Sequence, residues 1–124
     1  MNLSVSMYAG IPIYEQLKDQ IRHAILKKDL QASDKLPSVR ILSKDLSIGI
    51  VTVKRAYDDL VNEGFIISQA GRGYFVNHVD IDKFKVIYRR KISHLFQDIQ
   101  KLAKDVGLTE EEVLKLYYNH KEQQ

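Results

Sequence analysis

Apolar residues recur with a helical period near the start of the chain. Over 13–27, Ile13, Leu17, Ile21, Ala24 and Ile25 fall on one face, while Glu15, Lys18, Asp19 and Arg22 fall elsewhere. Pro12 precedes them, where a helix start tolerates proline because the missing N–H would have no partner anyway. The polar stretch 28–35 reads as a connection. Ser38 then offers a hydroxyl to cap a short helix with Val39, Leu42 and Leu46 along one side. Ser47, Ile48 and Gly49 interrupt the pattern, and Gly49 is expected to supply a turn or a helix start without a Cβ penalty. A third helix is expected over 50–63. Its apolar stripe is Val53, Ala56, Tyr57, Leu60 and Val61, and its other face carries Val51, Thr52, Lys54, Arg55 and Asp58. Gly64 would end it in the left-handed conformation.

The period then changes. Phe65 to Ser68 and Tyr74 to Val76 are short β-prone runs around a glycine-containing loop, 69–73, which predicts a hairpin. Beyond it, a long helix is expected over 81–106. Phe84, Tyr88, Ile92, Leu95, Ile99, Leu102 and Val106 step by four and three alternately, with Phe96 and Ala103 beside them. That is a heptad-like seam. Gly107 should end this helix. Thr109, with Glu112 three residues on, has the form of a capping box for a last helix, which Val113, Leu114, Leu116 and Tyr117 make apolar on one side.

Helix, helix, turn, helix and hairpin, in that order, describe a winged helix-turn-helix. The expected fold is therefore mainly α with a small β-hairpin wing, followed by a two-helix tail. The expected domains are 1–79 for DNA binding and 80–124 for dimerisation. The seam can be buried in two ways: against a second chain, or under the last helix of its own chain. A tail of about 45 residues is too small to cover a long helix on all sides, which favours the second chain. Phe84, Tyr88, Ile92, Leu95, Phe96, Ile99, Leu102 and Val106 then form the dimer interface.

Composition narrows the function. The 124 residues contain no cysteine, which excludes disulfides and thiolate metal sites and suits a reducing cytosol. The first residues lack the basic and apolar regions of a signal peptide, and no apolar run approaches membrane-spanning length. A cytoplasmic location with no membrane association is expected. His23, His78, His94 and His120 are scattered, and no catalytic frame is recognisable, so neither a metal, a cofactor nor an enzymatic activity is expected. The formal charge of +3 says little by itself about nucleic acid. Placement says more.

A recognition helix meets base edges with its N-terminal side chains. Here those are Val51, Thr52, Lys54 and Arg55. Lys54 or Arg55 can reach phosphate or guanine, Thr52 can hydrogen-bond phosphate or base, and Val51 can touch a thymine methyl. Arg40, in the first turn after Ser38, can meet phosphate or guanine, while Ser38 and nearby amides can donate to phosphate. Arg40 could equally form a surface ion pair with Asp34 or Asp45. Gly71, Arg72 and Gly73 would form the wing tip, with Arg72 able to enter a minor groove. Arg89, Arg90 and Lys91 make a basic patch beside the seam that reads as a solvated helix face.

Taken together, Pro12 to Leu17, Ile21 and Arg22, Leu36 to Arg40, Thr52 and Val53 with Ala56, Tyr57 and Leu60, Glu63 and Gly64, and Gly71 to Val76 resemble the DNA-binding domain of GntR-family regulators. The resemblance covers roughly the first three-fifths of the chain, and the short helical tail resembles the YtrA subfamily. It implies a homodimer on a palindromic double-stranded DNA operator, usually as a repressor and often of an ABC-transporter operon. It also implies DNA contacts at Arg40 and Lys54 and a wing-tip glycine at Gly71. A small-molecule effector of unknown identity is left open. The sequence departs from the family at Lys28 and Ser33, where glycines are usual, and at Ile50, where an arginine is usual. An aliphatic side chain cannot hydrogen-bond guanine, so operator sequence, affinity or both should differ from those of relatives. The competing reading is a winged-helix protein-interaction module whose seam recruits a different helical partner.

Overall fold

The computed structural model describes residues 2–122. Its elements run α1 (Ile13–Leu26), α2 (Val39–Leu46), α3 (Ile50–Asn62), β1 (Ile66–Gln69), β2 (Gly73–Val76), α4 (Ile81–Val106) and α5 (Glu110–Glu122). The chain divides after Asp80 into two compact units.

In the first unit, the predicted stripes of α1 and α3 face each other. Leu17, Ile21, Val53, Ala56, Tyr57 and Leu60 are completely buried. Leu42 of α2, Leu36 before it, and Phe65, Ile66 and Val76 of the wing close the core. Burying side chains of this size contributes about 1.5–3 kcal/mol each. Helices of 8 to 14 residues, marginal in isolation, thereby hold one another in place.

The wing is a two-stranded antiparallel hairpin in which Ile66 pairs with Val76 and Gln69 with Gly73. The segment before α2 lies along its outer edge. Ser33 N–H donates to the Val76 carbonyl (2.8 Å), Val76 N–H to Asp34 (2.8 Å) and Leu36 N–H to Tyr74 (2.9 Å). This third, nearly strand-like segment ties the start of α2 to the wing. Lys28 (φ 65°) and Ser33 (φ 73°), the two departures from the usual glycines, both adopt left-handed backbone, which costs a side chain about 1–2 kcal/mol.

In the turn between α2 and α3, Gly49 takes the second of its two expected roles, the helix start. Ser47, not Gly49, carries the left-handed conformation (φ 55°). Ile48 N–H returns to the Ser43 carbonyl, and the Ser43 hydroxyl donates to the Ile48 carbonyl, so the turn closes on itself. Gly49 has φ −65° and simply precedes α3, where its backbone needs no glycine.

Two features of α1 were not legible in its periodicity. Gln16 and Gln20, one turn apart, grip the N-terminal segment as a neighbouring strand would. Gln20 exchanges two hydrogen bonds with the Ser4 backbone (3.1 and 2.6 Å), and Gln16 does the same with Ser6 (2.9 and 2.8 Å). Lys18, assigned to the polar face, is buried. Its ammonium meets Glu63 at 2.8 Å and Asp59 at 3.3 Å, and Arg22 reaches the other Glu63 oxygen at 2.7 Å. A buried cation needs such partners to offset its lost hydration. Burial alone would lower the Lys18 ammonium, but its bonds to Glu63 and Asp59 leave it raised.

In the second unit, Gly107 (φ 72°) ends α4, and the Thr109 hydroxyl accepts from Glu112 N–H (3.2 Å) to start α5. Ala103 of α4 and Val113 of α5 are only half-buried, and α4 has no buried residue. The last helix therefore does not cover the seam within this chain. Among the described residues, no helix is long and apolar enough to cross a membrane.

Burial would raise the Glu63 carboxyl, yet the hydrogen bonds and charges of Lys18 and Arg22 outweigh it and hold the carboxyl below its ordinary value. A lowered folded carboxylate adds stability that is complete above the unfolded value, about pH 4.3. That stability is lost as pH falls through the folded value. Glu63→Gln should therefore lower stability at neutral pH and flatten the acid limb of a denaturation curve followed by circular dichroism. Parallel acid limbs for the two proteins would show that Glu63 contributes no such linkage.

Candidate nucleic-acid interface

The starts of α2 and α3 are set by short-range chemistry. The Ser38 hydroxyl accepts from Ile41 N–H at 3.1 Å, as expected of a cap. Because Val53, Ala56, Tyr57 and Leu60 point into the core, the helical period turns Val51, Lys54 and Arg55 outward. All three are exposed, as are Ser38, Arg40, Gly71 and Arg72, while Thr52 is half-buried. Arg72 lies in the hairpin turn, where its N–H donates to the Gln69 carbonyl (2.9 Å) and Gly71 has φ 74°.

The wing borders the exposed side of α3. The Tyr74 hydroxyl donates to one Asp58 oxygen at 3.3 Å, and Lys54 donates to the other at 2.9 Å. Burial first, and then the Asp58 charge, raise the Tyr74 hydroxyl. The hydrogen bond and charge of Asp58 raise Lys54 and keep it protonated. The Tyr74 ring also meets Tyr57 edge-on, with centroids 4.8 Å apart. Tyr57 in turn donates its hydroxyl to the Pro37 carbonyl at 2.8 Å. A continuous chain of contacts thus runs from the start of α2 through the core face of α3 to β2, and on to the outer face of α3. An open cleft of about 340 Å³ lies where these elements converge, lined by Ser38, Val39, Arg40, Ile50, Gly73 and Tyr74.

The four cations differ. Lys54 is paired with Asp58, and the Arg55 guanidinium lies 3.6 Å from the centre of the Tyr14 ring, which fixes it against α1. Arg40 forms no ion pair among the described residues, so the expected alternative of a bridge to Asp34 or Asp45 is not realised. Arg72 is likewise without an ion pair among them. Two cations are thereby available to an anionic partner directly, and Lys54 becomes available by exchanging Asp58.

Sequence reasoning missed Tyr14, Asp58 and Tyr74. The i, i+4 spacing of Lys54 and Asp58 was a usable signal. The Tyr74 contact, from a different element, had none. In the second unit, Lys91 sits over the Tyr88 ring (5.2 Å), consistent with the basic patch being a helix face. No cluster of metal-ligating side chains occurs among the described residues.

A winged helix with an outward, cation-bearing third helix defines a DNA-binding transcription regulator. Residues 13–76 match the model of the bacterial regulatory proteins of the gntR family. The chain belongs to the GntR family, whose members are regulators rather than enzymes. It is 32% identical over 105 residues to the uncharacterised HTH-type transcriptional regulator YhcF of Bacillus subtilis, spanning 83% of this chain and 84% of YhcF. It is 36% identical over 75 residues to the HTH-type transcriptional repressor YtrA of the same organism, spanning 60% of this chain and 58% of YtrA. The DNA-binding domain of AraR, solved in complex with operator ORX1, superimposes with a TM-score of 0.55 at 27% identity, covering 61% of this chain and 98% of that domain.

The Tyr57 hydroxyl is raised by burial and by the neighbouring Tyr74, so it stays protonated as a donor. Tyr57→Phe keeps the ring but strands the Pro37 carbonyl. It should cost about 1 kcal/mol, read as a shifted urea midpoint with unchanged slope. A midpoint equal to wild type would mean that water replaces the hydroxyl without loss.

Proposed function

We propose that the chain is a repressor that binds a two-fold symmetric operator as a homodimer, acting in the cytoplasm. Residues 1–79 make the DNA-binding domain and 80–124 the dimerisation tail. The observation that carries this reading is the outward face of α3 beside the wing, with Arg40, Lys54 and Arg72 each exposed. In this assignment the first turns of α3 enter the major groove. Val51, Thr52, Lys54 and Arg55 lie nearest the bases and flanking phosphates. Ser38 and Arg40 hold the backbone, and Gly71 lets Arg72 approach the minor groove. Repression is supported by the relative named as a repressor, and the YtrA-type tail makes an ABC-transporter operon the target to examine.

The exposed seam supports the homodimer. Leu95, Leu102 and Val106 are 61%, 68% and 73% exposed in the single chain, and Ile92, Phe96 and Ile99 lie beside them. A contiguous apolar stripe of this length is costly in water and marks an interaction surface. Together with Phe84 and Tyr88 it gives the seam that a second copy buries. Two copies can then set their α3 helices about 34 Å apart, the spacing of successive major grooves.

Selection from random duplexes should recover a palindromic site whose affinity falls steeply with added salt. Arg40→Ala should weaken binding to it by about 1–3 kcal/mol if the side chain reads a base. Unchanged affinity would remove Arg40 from the interface.

Ile99→Glu should convert the protein from dimer to monomer in sedimentation and weaken operator binding at least tenfold. A wild-type monomer with no operator preference would instead favour a protein-interaction module.

A further inference from the structure

The first turn of α3 is aliphatic where it faces outward. Ile50 is 50% exposed and Val51 is 81% exposed, so the core uses little of either. Both occupy the N-terminal end of the helix, the end that meets base edges when such a helix enters a major groove. Ile50 also lines the cleft at the start of α2, together with Val39, the backbone of Gly73 and the Tyr74 ring. The hydrocarbon is thus partly enclosed on one side and open on the other.

The surrounding charge identifies the occupant. Arg40 lines the same cleft, and Lys54 lies one helical turn from Ile50 and Val51. An apolar peptide would gain nothing from these cations, whereas a nucleic-acid backbone would. Within a major groove, thymine is the base that presents a methyl group. Guanine presents two acceptors, cytosine a donor, and adenine one of each. Isoleucine and valine can satisfy none of those polar groups. Every base pair presents such polar groups, thymine its O4 included, but only a T·A pair adds a methyl that gains apolar contact in return.

We propose that Ile50 and Val51 form an aliphatic contact that selects thymine at one or two positions of each half-site through its 5-methyl group. This specificity rests on the operator reading above, and its test separates the two. The full chain is first used to select a duplex. Each thymine of that duplex is then replaced singly by uracil, which keeps the pairing and removes only the methyl.

Uracil should weaken binding about fourfold at one or two positions per half-site and be neutral elsewhere. Ile50→Ala should abolish that sensitivity at one of those positions. Ile50→Val should retain it, and Ile50→Arg should move the preferred pair there from T·A to G·C. A selected site at which every uracil is neutral overturns this proposal and leaves the operator reading intact. So does methyl sensitivity that is unaltered in Ile50→Ala. Failure to select any sequence overturns both.

Discussion

The packing of α1 against α3 is the constraint on which the first unit depends. Leu17 and Ile21 from one helix and Val53, Ala56, Tyr57 and Leu60 from the other are removed from water completely. A 13-residue helix is unstable alone, so α3 exists because this face is buried. The same burial fixes its rotation. With one stripe committed to the core, the intervening residues must face outward, and the helical period decides which they are. The exposed face of α3 is in this sense the complement of the core.

Polar contacts then set how the other elements stand around α3. Lys18 and Arg22 clamp Glu63 at its C-terminal end, where each charge is desolvated and each is matched. Tyr57 reaches through to Pro37 and so couples the start of α2 to the body of α3. Tyr74 and Asp58 couple the wing to the opposite face. These bonds add little net stability individually, because water offers similar ones in the unfolded chain. Their effect is directional: they hold the start of α2 and the wing in place around α3.

Charge on this surface is moderated by its own neighbours. Asp58 holds Lys54 and Tyr14 holds Arg55, while Arg40 and Arg72 have no ion pair or ring partner among the described residues. The first turn of α3 exposes the hydrocarbon of Ile50 and Val51. In the proposed reading, phosphate attraction and base selectivity draw on different side chains. The tail follows the opposite logic from the first unit. Its long helix leaves its apolar stripe exposed to water.

Local signals in the sequence determined the elements themselves. The 3.6-residue stripes gave α1, α3 and α4, the Ser38 and Thr109 hydroxyls marked two helix starts, and the change to β-prone residues marked the wing. These are properties of adjacent residues and do not depend on what lies opposite. The tertiary structure decided what depends on another element. It buried Lys18, which the periodicity of α1 had assigned to solvent, because Asp59 and Glu63 approach from α3. It gave the left-handed conformation of the α2–α3 turn to Ser47, where Ser43 closes that turn through two bonds. It also fixed Arg55 on Tyr14 and joined Tyr74 to Asp58. A residue's neighbours in sequence fix its secondary structure, but its charge state, exposure and availability are set by residues that only folding brings within a few ångströms.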